Sequence, residues 1–227
     1  MPREPELPLL APTASLDWLV APVLPVVVIQ DIESGLFIAD SFLEAGLNQI
    51  EITLRSKASL EAITAVARRF PQMRVSAGTV IEAAQVPLIR NAGATLAVSP
   101  GFRPTLADAM RRAGMPWIPG VATAGEVMAA IEAGYSLMKF FPAMAAGGPP
   151  ALSAIASAIR PARDGNLHFI PTGGVTRENM AQWKSTGCVM AVGGTWLARD
   201  SVVAGRDRAA IVTAVREAIA AWNAASA

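Results

Sequence analysis

Cysteine and histidine each occur once in this chain of 227 residues, as Cys188 and His168. A lone thiol forms no internal disulfide, and no cluster of Cys and His exists to build a zinc site, so neither a disulfide framework nor a metal is expected. Charge is thin as well: Asp, Glu, Lys and Arg make up 16% of the residues and sum to a net +1. The Lys and Arg are scattered, which argues against a nucleic-acid or membrane-surface partner and leaves any anionic ligand to local groups. Long apolar runs are missing too. The most hydrophobic stretch, 19–29, is broken by Pro22 and Pro25 and falls short of the roughly 20 residues that span a bilayer. Residues 1–12 carry four prolines and acidic side chains, not the basic-then-apolar layout of a secretion signal. A soluble, cytoplasmic protein with no membrane partner is expected.

What is abundant is hydrocarbon. Hydrophobic residues make up 52% of the chain, which suits a fold buried on several faces, and the length fits one domain. Residues 1–12 read as a flexible Pro-rich N-terminal arm and 13–227 as a single domain, opened by a short helix over 13–20. From there, β-branched runs alternate with Ala-rich stretches of helical period. Strands are expected at 23–29, 47–53, 74–78, 95–98, 117–119, 136–140, 168–171 and 189–192. Helices are expected at 34–45, 59–70, 82–91, 104–113, 124–133, 150–160, 177–185 and about 207–222. Gly46, Gly93, Gly114, Gly134 and Gly187 each follow a helix, where a left-handed residue commonly ends the turn. Eight strand–helix units imply parallel strands with right-handed crossovers, and eight strands close a (β/α)8 TIM barrel. A doubly wound open sheet is the alternative. It is disfavoured because neither a GxGxxG turn nor a dinucleotide-type carboxylate follows the first strand.

Lysine occurs only as Lys57, Lys139 and Lys184. Lys57 and Lys184 lie in polar helical surroundings and read as solvated, whereas Lys139 ends an apolar strand on the same face as Leu137 and Phe141. An amine among such neighbours loses hydration, which disfavours the ammonium form. A neutral amine attacks a ketone, and the resulting iminium draws electrons from the adjacent carbon. The competing reading is a lysine whose stem packs while its head reaches solvent.

In 49–55, one face is Ile50, Ile52 and Leu54, and the other is Gln49, Glu51, Thr53 and Arg55. A parallel strand is buried on both faces, so a charged face needs a purpose. At the C-terminal mouth of a barrel, Glu51 would serve as general acid/base and the planar fork of Arg55 would grip a carboxylate. An internal Glu–Arg ion pair is the plain alternative. Two glycine turns, Thr172-Gly173-Gly174 and Gly193-Gly194-Thr195, follow the seventh and eighth strands, where barrels hold phosphate on backbone N–H groups. Thr79 and Pro100 follow strands three and four and would line the same mouth. His168 and Cys188 read as structural, and Trp196 as a packing residue.

Taken in order, Glu51-Ile-Thr-Leu-Arg55, Ala77-Gly-Thr79, Ser99-Pro-Gly101, Pro119-Gly120, Lys139-Phe-Phe-Pro142, Pro171-Thr-Gly-Gly174 and Gly193-Gly-Thr-Trp196 resemble the 2-dehydro-3-deoxy-6-phosphogluconate (KDPG) aldolases, which often also act on 4-hydroxy-2-oxoglutarate. The resemblance runs from about Leu16 to near the C-terminus. It implies a homotrimeric class I aldolase that takes a 2-oxo acid and a phosphorylated sugar acid, with no cofactor and no metal. It also implies Lys139 as the Schiff-base lysine, Glu51 as the proton-transferring group, and Arg55 and Thr79 at the pyruvate. Pro100 and Phe141 would line the substrate. Thr172 would lie near its hydroxyls, with Gly173, Gly174, Gly193, Gly194 and Thr195 at the phosphate. Thr53, Arg55 and Phe140 separate the chain from the related phosphogalactonate aldolases. Met144 departs from the pattern, standing where the family often has glutamate. The rival readings are a 2-dehydro-3-deoxy-6-phosphogalactonate aldolase, a phosphosugar-barrel enzyme of another class, such as an epimerase or a thiamine-phosphate-type synthase, and a non-catalytic phosphosugar-binding protein.

Overall fold

The computed structural model describes residues 18–225. The arm over 1–12 and most of the helix expected over 13–20 lie outside the described residues. The strands are β1 (Val23–Val27), β2 (Gln49–Thr53), β3 (Arg74–Gly78), β4 (Leu96–Val98), β5 (Trp117–Ile118), β6 (Gly120–Val121), β7 (Leu137–Phe140), β8 (His168–Pro171) and β9 (Val192–Gly194). The helices are α1 (Ile32–Glu44), α2 (Ser59–Arg69), α3 (Gln85–Asn91), α4 (Pro104–Ala113), α5 (Ala124–Glu132), α6 (Gly148–Ile159), α7 (Met180–Lys184), α8 (Asp200–Ala204) and α9 (Arg208–Ala224).

All strand pairs are parallel. One sheet runs β5-β4-β3-β2-β1-β9 and another β6-β7-β8. Two parallel bridges, Phe169 to Val189 and Thr172 to Gly193, connect β8 with the β9 side. β5 and β6 are halves of one stave, interrupted at Pro119, which has no N–H to give the ladder. Its carbonyl still accepts from Lys139 N–H at 2.8 Å, so eight staves close the barrel.

Two expectations shift. The last strand, expected over 189–192, pairs regularly only at Val192–Gly194, where Leu24 and Pro25 of β1 face Gly193 and Gly194. The two glycines are thus drawn into the sheet rather than left in a turn. The helix expected over 177–185 is reduced to α7, because residues 176–179 are held in a side-chain-bridged turn. The five helix-ending glycines all have positive φ, between 60° and 96°.

The core has two compartments. The larger lies between the staves and the helices, with Val23, Ile50, Ile52, Met138 and Phe140 pointing outward into it. The smaller is a plug inside the barrel, formed by Leu96, Val98, Ile118, Leu137 and Ile170 over Trp18 and Leu19. Each fully buried aliphatic side chain contributes roughly 1.5–3 kcal/mol of stabilisation. Near the floor, the Gln49 side chain accepts from Val20 N–H and donates to the carbonyls of Ala21 and Val23. The lower barrel is therefore satisfied and sealed, and polar side chains above the plug face the C-terminal mouth. No helix among the described residues is long and apolar enough to cross a membrane.

Candidate active site

A cavity of about 260 Å³ opens at the mouth. It is lined by Glu51, Arg55, Thr79, Pro100, Lys139, Phe141, Thr172, Gly173, Gly174, Gly194 and Thr195, which is every site residue expected from the sequence except Gly193. Gly193 lies beneath, in β9, where a Cβ would overlap Thr172 Oγ1. Its lack of a side chain lets Thr172 reach the cavity. Val26, Thr53 and Val175 also line the space, and of these only Thr53 stands out in the sequence, on the polar face of β2. Thr53 follows from the alternation of β2. Val26 was hidden because β1 is apolar on both faces.

At the centre, Lys139 Nζ donates to Glu51 Oε1 at 3.0 Å and faces Oε2 at 3.4 Å. Both side chains are buried, 8% and 1% exposed respectively. The sequence predicts a dry amine; the structure meets it with a carboxylate rather than hydrocarbon alone. Either charge alone would be costly to bury, and each is the counter-ion of the other. Lys139 is delivered by β7, whose neighbour Leu137 belongs to the plug. The Phe141 ring lies 5.5 Å from Nζ.

One wall is cationic. Arg55 Nε donates to Thr53 Oγ1 at 3.2 Å, and that hydroxyl donates to Val27 O at 2.9 Å. The guanidinium is thereby anchored at one nitrogen. Beside it, Thr79 adopts φ 59°, a left-handed conformation that costs a β-branched residue on the order of 1–3 kcal/mol. It is held from the next residue. Val80 N–H donates to Val98 O at 3.1 Å, Ser99 Oγ to Val80 O at 2.5 Å, and Trp117 Nε1 to Ser99 Oγ at 2.7 Å.

The opposite wall is backbone. Thr172 O and Gly173 O accept from Ala143 N–H at 2.8 Å and Met144 N–H at 3.0 Å. The N–H groups of Gly173, Gly174, Val175 and Thr195 have no hydrogen-bond partner among the described residues. Unpaired N–H groups at a glycine turn suit an anion. Met144 packs its side chain beside Gly174 while remaining 45% exposed.

Residues 18–214 match the family model described as "Aldolase: KDPG and KHG aldolase". The chain belongs to that family. This aldolase is 38% identical over 199 residues to the 2-dehydro-3-deoxy-phosphogluconate aldolase of Pseudoalteromonas atlantica, covering 88% of this chain and 90% of the relative. Its fold superposes with TM-score 0.86 and 35% identity on the Zymomonas mobilis 2-keto-3-deoxy-6-phosphogluconate aldolase with 3-phosphoglycerate, covering 95% and 100% of the two chains. It superposes with TM-score 0.84 and 33% identity on the Legionella pneumophila KDPG aldolase, covering 89% and 96%. That structure holds pyruvate captured at low pH as a covalent carbinolamine intermediate. Family membership places this aldolase apart from the epimerase and synthase readings.

At the far end of β8, the aldolase places His168 with Nδ1 buried and without a partner among the described residues. Burial, then the nearby Arg160 guanidinium, holds its pKa below the ordinary 6.5. Burial pushes the Cys188 thiol up. Neither residue lines the mouth cavity.

Proposed function

We propose that this chain is a class I aldolase that cleaves 2-dehydro-3-deoxy-6-phosphogluconate to pyruvate and glyceraldehyde 3-phosphate, and 4-hydroxy-2-oxoglutarate to pyruvate and glyoxylate. The observation that carries the reading is the buried contact of 3.0 Å between Lys139 Nζ and Glu51 Oε1. It joins a nucleophile and a proton acceptor in a site partly screened from water.

The Lys139 ammonium gives a proton to Glu51, and the neutral amine adds to the C2 carbonyl of the 2-oxo acid. Glu51 returns that proton to the carbinolamine hydroxyl, which leaves as water and gives an iminium beside the restored carboxylate. Glu51, through a water molecule, takes the proton of the C4 hydroxyl. The C3–C4 bond breaks, the aldehyde leaves, and its bonding electrons rest in the enamine. Protonation at C3 and hydrolysis of the iminium release pyruvate and regenerate Lys139. Arg55 and Thr79 hold the substrate carboxylate, Pro100 and Phe141 frame the reacting carbons, and Thr172 meets a hydroxyl. Gly173, Gly174, Gly194 and Thr195 receive the phosphate, with Gly193 supporting Thr172 from below. The iminium is the electron sink, so no step is assigned to a metal or cofactor.

Thr53, Arg55 and Phe140 favour the phosphogluconate substrate over its galactonate counterpart. From the family resemblance we also assign a homotrimer in the cytoplasm. Leu88 and Met128, each about half exposed, are apolar surface that an assembly would cover. Light scattering should then give three times the chain mass of 23.7 kDa.

The test is borohydride reduction in the presence of pyruvate, with excess EDTA. Mass spectrometry should find one stable adduct, on Lys139, and Lys139→Ala should show neither adduct nor cleavage activity. Normal cleavage by that variant would overturn the reading.

A further inference from the structure

Asn179 was read from the sequence as part of a helix, yet its side chain makes two bonds that no helix requires. Its Oδ1 accepts from Thr176 N–H at 2.9 Å, and its Nδ2 donates to Gly174 O at 2.9 Å. The orientation of the amide is fixed by its partners, since an N–H only donates and a carbonyl only accepts. The side chain therefore staples the arc 174–176 from outside.

The consequence is electrostatic. With Thr172 O and Gly173 O taken by the N–H groups of Ala143 and Met144, Asn179 engages the remaining carbonyl of the glycine turn. All three carbonyls are held by protein donors, while the N–H groups of Gly173, Gly174 and Val175 have no partner among the described residues. Gly173 and Gly174 have φ of 99° and 75°, and two consecutive left-handed glycines have broad conformational freedom. Released from Asn179, Gly174 can rotate its carbonyl toward the cavity, replacing a donor with the negative end of a dipole.

We propose that Asn179 is a positioning residue that makes this turn selective for a phosphorylated substrate. The proposal rests on the aldolase reading above and adds a determinant of substrate class at a residue outside the cavity lining. Only the amide serves both bonds. Aspartate keeps the acceptor for Thr176 but sets a carboxylate against Gly174 O.

The test compares Asn179→Ala and Asn179→Asp with the wild type on two substrates and one probe. For the phosphorylated sugar acid, KM should rise at least about tenfold in both variants. For 4-hydroxy-2-oxoglutarate, which has no phosphate, kcat/KM should stay within about twofold, and the yield of borohydride adduct with pyruvate should match the wild type. Parallel losses on both substrates would make Asn179 a merely structural residue and overturn the proposal. Calorimetric titration with inorganic phosphate reads the turn without catalysis. A dissociation constant raised at least about tenfold in the variants supports the proposal, and an unchanged one overturns it. Because this arm needs no Schiff base, failure of wild-type protein to trap pyruvate would count against the aldolase reading alone.

Discussion

The carboxylate of Glu51 sits against the Cα of Gly78, in the space that a side chain there would occupy. A Cβ on Gly78 would overlap Oε1 and stand 2.7 Å from Cγ and 2.8 Å from Cδ of Glu51. β2 and β3 pair Thr53 with Gly78, so the Glu51 side chain leans upward along β3 to reach Lys139. Gly78→Ala should displace the carboxylate and lower kcat/KM by about 100-fold, because misplacing a reacting group by an ångström costs on this scale. Steady-state kinetics and a thermal melt check it. Activity within threefold of wild type would mean that Glu51 is not held where the reaction needs it.

Glu51→Gln keeps the shape of the side chain and removes the base. Loss of a positioned general base costs about 10²- to 10⁴-fold in rate, so kcat should fall within that range. Pyruvate should still be trapped on Lys139 by borohydride after longer incubation, since water can take the Lys139 proton in place of Glu51, whereas cleavage of the C3–C4 bond has no substitute base. Complete absence of the adduct would make Glu51 the obligatory acceptor of the Lys139 proton.

The barrel and its mouth were legible because the pattern is redundant. The apolar run ending in Lys139, the polar face of β2 and the glycine pairs after the last two strands each point to the same end of the fold. Pro104–Ala113 and His168–Pro171 fall where the periodicity puts them. What escaped was decided by tertiary contacts. The last strand moved because Gly193 and Gly194 pair with β1, and a glycine pair reads equally well as a turn. Asn179 was concealed in a helical stretch because two bonds to one loop leave no periodic trace. Lys184 read as solvated, yet it is half-buried and bonded to carbonyls some forty positions away.

That lysine gives a stability prediction. Lys184 Nζ donates to Trp222 O at 2.9 Å and Ala225 O at 2.7 Å, and lies 5.5 Å from the Trp222 ring centroid. The last turn of α9 has no basic residue of its own, so Lys184 supplies the positive charge that a helix C-terminus favours. Lys184→Met retains the stem and loses the charge-assisted bonds. It should destabilise the protein by about 1–2 kcal/mol, lowering Tm by roughly 2–8 °C for a chain of this size. kcat at 25 °C should be unaffected. An unchanged Tm would show that water replaces the amine at the helix end without loss.

The one histidine offers a pH signature with little overlap. Burial, then Arg160, depresses the pKa of His168 below 6.5 in the folded protein, while the unfolded chain keeps the ordinary value. Above about 6.5 both states are largely neutral at this site and it contributes no pH dependence. As pH falls below that value the unfolded state binds the proton more readily, so stability declines until the folded pKa is passed. His168→Asn removes this contribution. Urea midpoints of wild type and variant, measured from pH 7.5 down to 5, should therefore diverge in the variant's favour only below about 6.5. Carboxylates titrate at lower pH in both proteins and cancel in the difference. A difference that stays flat across the range would mean that His168 accepts its proton as readily folded as unfolded, and that its buried Nδ1 finds an acceptor once charged.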